Sequence, residues 1–221
     1  ETEGYLKRLR MVEIPDSGEA VAFKGWLKGI NSELIVMIRL PLCTQAPERV
    51  VQLATEGVEA IHLTADEYGM EWEDNPLFIA DRMKDIHLSL LDKGMRDQVT
   101  LIGGGGIAMA EHMAKLIICG TDAVTIDIPL LIAMECRVCR RCKEGISCPV
   151  EMEGIDPLWG SARITNLMGC WHNQLLEILG AMGIREVRRL RGEMGRAMFF
   201  EDLEREFFAT MGKKDYVHGT A

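Results

Sequence analysis

The chain has 221 residues, 48% of them hydrophobic and 27% charged, with a formal net charge of −9 at pH 7. That length buries one sizeable core, and the composition is that of an ordinary globular protein with one compact domain and an appendage. The acidic balance excludes a general nucleic-acid binder, which needs surplus Lys and Arg to meet phosphates.

In chain order, short apolar runs alternate with amphipathic stretches. Asp16, followed three residues later by Glu19, reads as a capping box for a helix through Trp26 and Leu27. Leu34 to Leu40 is an apolar, β-branched run ending at Pro41, the pattern of a buried strand. Pro47 opens a helix that Gly57 closes, and Val58 to Leu63 is the second strand. After an acidic loop (Asp66, Glu67, Glu71, Glu73, Asp74), Asn75-Pro76 starts a long helix that ends at Gly94. Val99 to Gly103 is the third strand and runs into four consecutive glycines. Ile107 to Cys119 is helical, and Ala123 to Ile126 is the fourth strand. Four strands without a polar face, separated by helices, predict a parallel sheet covered on its outside. Beyond the sheet, Asp156-Pro157 starts a helix through Trp171 to Leu179, with helical stretches at Arg185–Leu190 and Phe200–Met211. The basic stretch Arg185, Arg188, Arg189, Arg191 and Arg196, interleaved with Glu186 and Glu193, reads as a solvated or salt-bridged helix face or as a surface for an acidic partner. The longest apolar run, Ile126 to Met134, contains Asp127 and Pro129 and is too short to span a bilayer.

Four cysteines, Cys136, Cys139, Cys142 and Cys148, crowd into thirteen residues, and Pro149 follows the last. Thiolates at two-residue gaps, then Cys-Pro, come close to the ligand run of a ferredoxin-type 4Fe–4S site, although the last gap is five residues rather than three. Structural zinc sites pair separated Cys couples or add His, and neither accompanies this run. Disulfides need an oxidising compartment, whereas the chain lacks a signal-peptide pattern and has seven Cys; a cytoplasmic protein is expected. An iron–sulfur site therefore ranks above zinc and above unpaired thiols. Cys43, Cys119 and Cys170 stand alone in apolar surroundings and read as buried thiols. Of the five His, none forms a spaced pair, and only His62, near a strand's C-terminal end, is placed to face a ligand.

The run GMRDQVTLIGGGGIAMAEHMAKLIICGTDAVTIDIPLLIAMEC, from Gly94 to Cys136, resembles the last two β/α units of the FMN domain of the glutamate synthase family. That family shows G-L-R-D-x-V, an apolar strand into D-G-G-[LI]-[RK]-T-G, then G-A-D-A-V-G-x-G-T-A and A-L-G-C. Over about Leu34 to Pro149 the order, the spacing and the cysteines agree together. The family's cluster is 3Fe–4S, on Cys, five residues, Cys, four residues, Cys-Pro. Cys136 and Cys142 reproduce the first gap, Cys148-Pro149 ends one residue late, and Cys139 is an added thiolate, so the resemblance implies 4Fe–4S here.

The resemblance also implies the C-terminal half of a (β/α)8 barrel. Its divisions would be a β/α half-barrel over residues 1–135, a cluster loop over 136–150 and an all-α extension over 151–221. A phosphate of FMN would lie at the loops after the last two strands, against Gly104, Gly105 and Gly106, and Arg39 would replace the family's flavin-contacting Lys. Each has a plainer reading, the glycines as a tight strand-to-helix turn and Arg39 as a strand-end ion-pair partner. Two departures oppose ordinary FMN binding: Asp127 would repel a phosphate and Pro129 lacks an N–H. The family's substrate loop, S-G-x-D-G-G-T-G-A, becomes Thr64-Ala65-Asp66-Glu67-Tyr68-Gly69, so no catalytic residue can be named. The family's glutaminase needs an N-terminal Cys, and Glu1 stands here, so that half-reaction is expected to lie elsewhere.

Two functions follow as expectations. One is an oxidoreductase subunit passing electrons between a 4Fe–4S cluster and FMN, in the family for reductive amination of 2-oxoglutarate. The other is a non-catalytic electron-relay or scaffold subunit that has lost FMN. Either way, a half-barrel needs other protein subunits, or copies of itself, to cover its sheet edges.

Overall fold

The computed structural model describes residues 2–193. Five parallel strands form one sheet in the order β1-β2-β3-β4-β5: β1 Met11–Pro15, β2 Ile35–Pro41, β3 Ala60–Thr64, β4 Thr100–Gly104 and β5 Ala123–Thr125. The expected strands are four; the additional one is β1, in which Ile14 alone is buried and Glu13 sits mid-strand, so it carries no apolar run. Between the strands lie α2 Ala20–Ile30, α3 Ala46–Thr55, α4 Ile79–Asp92 and α5 Ala110–Ile118, preceded by the short α1 Thr2–Leu6. Neighbours in sequence are neighbours in the sheet, and the intervening helices pack together against the buried face of the strands, the side to which right-handed crossovers of parallel strands lead. This is the winding of a β/α barrel over five strands, with β1 and β5 left as open edges.

Alternation along each strand divides its side chains. Val36, Ile38 and Leu40 of β2, Ile61 and Leu63 of β3, and Leu101 of β4 point to the helices and pack, buried, against Leu27, Val50, Leu53, Met83, Ile86 and Leu90. The opposite, open face carries Met11, Glu13, Ile35, Arg39, His62, Ile102 and Thr125, and Met11 and Ile35 are among the exposed large hydrophobics. Burying the helix-side set is the main driving force of the fold.

Asp16 and Glu19 do not form the expected capping box. The helix starts at Ala20 without a side-chain cap, and Asp16 instead receives Arg49 Nε at 2.9 Å and Nη2 at 2.7 Å. The fork of a guanidinium satisfies both carboxylate oxygens, which one helix N–H cannot do.

After β5 come α6 Ile128–Ala133, the cysteine loop and α7 Pro157–Ala181. Asp156 caps α7 as its sequence implies, accepting from Trp159 N at 3.0 Å. Arg163 Nε donates to Ala133 O at 2.8 Å, joining α7 to the end of α6, and Trp171 enters the main core. Leu179 and Leu190 close a smaller core with Ala114, Ile117 and Ile118 of α5. The helix expected at Arg185–Leu190 is a short 3-10 turn, Val187–Leu190, because Gly183 and Gly192 bracket it at positive φ. Arg196 and the stretch Phe200–Met211 lie outside the described residues.

Of the readings of the basic stretch, Arg191 takes the salt-bridged one, although from just beyond a 3-10 turn rather than a helix face. It reaches Asp122 Oδ1 at 2.5 Å and Asp97 at 2.9 Å, fastening the C-terminal turn to the N-terminal end of the sheet. There Arg96, only 2% exposed, donates to His87 Nδ1, Val99 O, Gly120 O and Asp122 Oδ2. Burial pushes the Asp122 carboxyl up, but the Leu101 amide, Arg96 and Arg191 outweigh it and hold it below its ordinary range. Burial, with Arg96 and Arg191 beside it, keeps His87 below the ordinary imidazole value, so its Nδ1 is free to accept from Arg96. Among the described residues no helix is long and apolar enough to cross a membrane.

Candidate functional site

At the C-terminal ends of the strands the open face carries a continuous polar chain. Arg39 and His62 are register partners on β2 and β3, and Glu13 of β1 stands two residues nearer the strands' N-terminal ends, on the same face. Glu13 meets both: its Oε1 forms an ion pair with Arg39 Nη1 at 3.4 Å, and its Oε2 lies at hydrogen-bond distance, 2.7 Å, from His62 Nδ1. The other ring nitrogen, Nε2, lies 3.1 Å from the Thr125 hydroxyl on β5. Facing a carboxylate, Nδ1 is the nitrogen that donates, while the Thr125 hydroxyl, which can donate or accept, holds the other side of the ring. Arg39, expected as a flavin contact, is thus at the open face but already paired, while its side chain is still 51% exposed. Glu13 was not legible as a site residue, because its partners Arg39 and His62 lie on other strands, 26 and 49 residues away in sequence.

The glycine run lies beside this chain. A Cβ on Gly104 would overlap the Thr125 hydroxyl and stand 3.2 Å from His62 Nε2. One on Gly105 would fall 2.7 Å from the carbonyl oxygens of Ala65 and Asp66, and one on Gly106 2.6 Å from the Gly69 backbone. Gly105 and Gly106 also have φ of +108° and +67°, which an L side chain resists. Each of these three glycines therefore has a packing reason within the chain: Gly104 makes room for Thr125, and at Gly105 and Gly106 the β4–α5 loop presses on the β3–α4 loop. That second loop is itself fixed. Asp66 Oδ1 accepts from Tyr68 N and Met70 N, both at 2.8 Å, Trp72 Nε1 donates to Thr64 O, and buried Glu71 pairs with Arg82. Asp127 ends the loop after β5, and its carboxylate accepts from Ile128 N at 2.6 Å, so an anion of the chain's own caps α6.

The four cysteines occupy a loop between α6 and α7. Cys136 and Cys148 are half-buried, whereas Cys139 and Cys142 are exposed. Four non-glycine residues here have left-handed backbones: Glu135, Val138, Arg140 and Glu151, at φ of 70°, 50°, 60° and 46°. Backbone N–H groups aim at two sulfurs. Val138 N is 3.4 Å from Cys136 Sγ, and the amides of Met152, Val150 and Glu151 hold the Cys148 thiol below its ordinary range. Donor chemistry suits a thiophilic iron site, for four thiols and N–H···S contacts are what such a site uses. The thiols are not gathered, however: among the described residues no three Cys, His, Asp or Glu converge as they would on a metal ion. Of the lone thiols, Cys119 is buried as expected, Cys43 is half-buried, and Cys170 is exposed on α7.

Arg140, between Cys139 and Cys142, bonds the Glu67 carboxylate and donates to the Tyr68 hydroxyl at 3.1 Å, with its guanidinium carbon 5.7 Å from the Tyr68 ring centroid. It joins the cysteine loop to the β3–α4 loop at the end of the sheet that carries Arg39 and His62.

Several known proteins resemble this chain in fold or in sequence. Flavocytochrome b2 with sulfite bound superposes with a TM-score of 0.59 at 12% identity, over 93% of this chain and 55% of that one. A mandelate oxidase variant gives 0.53 at 15% identity, over 75% and 41%. At such identities the likeness is one of fold, and it places the sheet as part of a (β/α)8 barrel. In sequence, the archaeal glutamate synthase [NADPH] of Methanocaldococcus jannaschii is 30% identical over 176 residues, 73% of this chain and 34% of that protein. Its counterpart in Archaeoglobus fulgidus is 34% identical over 132 residues, 56% and 26% respectively. The chain therefore spans about a third or less of these relatives' length. The model of the conserved region in glutamate synthase matches residues 27–185, from within α2, through the sheet and the cysteine loop, to just beyond α7. On that match the chain belongs to the glutamate synthase family.

Proposed function

We propose that this chain is an iron–sulfur electron-transfer unit of a glutamate-synthase-type oxidoreductase, with Cys136, Cys139, Cys142 and Cys148 holding a 4Fe–4S cluster. The observation that carries the reading is the cysteine loop itself: four thiols, two of them met by backbone N–H groups, tied to the mouth of a barrel-type sheet. Such a cluster supplies one-electron transfer. The residues that would hold FMN are Arg39, by charge, and Gly104, Gly105 and Gly106, by backbone; Glu13 and Thr125 orient the His62 ring beside them. The rest of the barrel would come from other subunits or another part of a longer protein, covering Met11 and Ile35 on the open face.

A second reading, an electron relay without flavin, is favoured by specific contacts. Glu13 already neutralises Arg39, the chain's own atoms fill the space over each glycine, and Asp127 puts a carboxylate at the turn after β5. Anaerobic reconstitution with iron and sulfide, followed by iron, sulfide, zinc and flavin analysis, separates the readings. About four irons per chain with flavin supports the oxidoreductase. Iron without flavin favours the relay, and zinc alone refutes both. Cys139→Ser narrows the test: the EPR signal should change toward that of a three-iron site, and an unaltered 4Fe–4S signal would remove Cys139 from the ligand set.

A further inference from the structure

The cysteine loop leaves the sheet after β5, yet its middle lies against a different connection, the one that follows β3. We propose that Arg140 is a positioning residue that clamps the cysteine loop to the β3–α4 loop, so that the thiols and the mouth of the sheet behave as one mechanical unit.

Three observations carry this. First, the hydrogen bonds identified between residues 137–150 and the body of the protein, among the described residues, come from Arg140 alone, to Glu67 and Tyr68. A guanidinium that pairs with a carboxylate, bonds a phenol and stacks on its ring fixes direction as well as distance, because the planar fork has one orientation that serves all three. Second, Arg140 itself has a left-handed backbone, φ 60°. A non-glycine residue resists that conformation, and the contacts of the side chain oppose its relaxation. Third, the receiving loop is rigid: Asp66, flanking Glu67, closes a turn on Tyr68 N and Met70 N, and Gly69 is wedged against Gly106, Phe78 and Ile79. The clamp therefore joins a strained loop to a fixed one. The fixed side also touches Gly105 and Gly106, so anything that moves the glycine loop is transmitted to the thiols through Glu67 and Arg140. The significance of the clamp for electron transfer rests on the cluster reading above, whereas the clamp itself does not.

Hydrogen exchange on the cluster-free chain under reducing conditions tests it, with no readout that depends on iron. In Arg140→Gln, exchange should rise about two- to five-fold in residues 66–70 as well as in 137–147, the size expected of a solvent-accessible ion pair. In Glu67→Gln the same two segments should respond, and the double variant should add little to either single one. Residues 60–64, within the sheet, should be unchanged throughout. If each substitution loosens its own loop alone, or the double variant is simply additive, the clamp is refuted. If a variant also loosens the sheet, the exchanged pair Arg140→Glu with Glu67→Arg decides: restored protection supports the clamp, and continued loss overturns it. Raising the salt concentration should mimic Arg140→Gln in the parent chain and have little effect on that variant. Failure to reconstitute a cluster would refute the proposed function and leave this result standing.

Discussion

Gly104→Ala separates packing from ligand binding at the glycine run. Gly104 lies in β4 without a left-handed φ, so alanine is conformationally allowed and would on its own add about 0.4–1 kcal/mol by restricting the unfolded chain. Its methyl group, however, would overlap the Thr125 hydroxyl and press on Thr125 Cβ at 3.3 Å. Overpacking of this kind costs about 1–3 kcal/mol. If Thr125 rotates to escape, the hydrogen bond to His62 goes with it, a further loss of about 1 kcal/mol. The net expectation is a destabilisation of about 1–3 kcal/mol, or a melting point lower by roughly 2–4 °C for each kcal/mol. Thr125→Ala removes the clashing oxygen, and the three-residue edge strand β5 can yield the few tenths of an ångström still needed. The pair Gly104→Ala with Thr125→Ala should therefore be more stable than Gly104→Ala alone. Urea denaturation of the four proteins at constant slope measures the coupling, expected at about 1–2 kcal/mol. Additivity to within about 0.5 kcal/mol would refute the idea that Gly104 is small to make room for Thr125.

Three other outcomes follow from the same contacts. Asp122→Asn leaves Arg96 buried and charged with a poorer partner; because Asp122 itself is 22% exposed, the loss should be about 2–4 kcal/mol by urea denaturation. His87 has its folded value lowered, so the unfolded chain takes up the proton first: stability is full above the unfolded value of about 6.5 and falls with pH below it, until the folded value is passed. Asp97, Asp122, Arg96 and Arg191 surround this site, and His87→Gln should flatten that limb of a stability profile measured from pH 7.5 to 5.5. Ile35→Lys, at a 41% exposed position on the open face, should change the stability of the chain little but abolish any association through that face, read by sedimentation velocity.

Local chemistry made much of this protein legible. Apolar runs bounded by Pro and Gly marked β2 to β5, and Asp156-Pro157 marked the start of α7, because burial on one face and capping are properties of neighbouring residues. The thiol run was legible for the same reason. Where residues depend on distant partners, the reading stopped: β1 shows no apolar run and exists because β2 offers it a ladder, Asp16 serves Arg49 rather than its own helix, and Arg191 reaches back to Asp97 and Asp122.

The sequence by itself determined the family, the parallel β/α order and the four thiols, since each is written in residue type and spacing. Only the tertiary structure decided that Glu13 neutralises Arg39, that the glycines make room for Thr125 and the β3–α4 loop, and that Arg140 ties the cysteine loop to the mouth of the sheet. The physical reason is that charge pairing and close approach act through space, between side chains that the parallel register brings together from separate strands and loops.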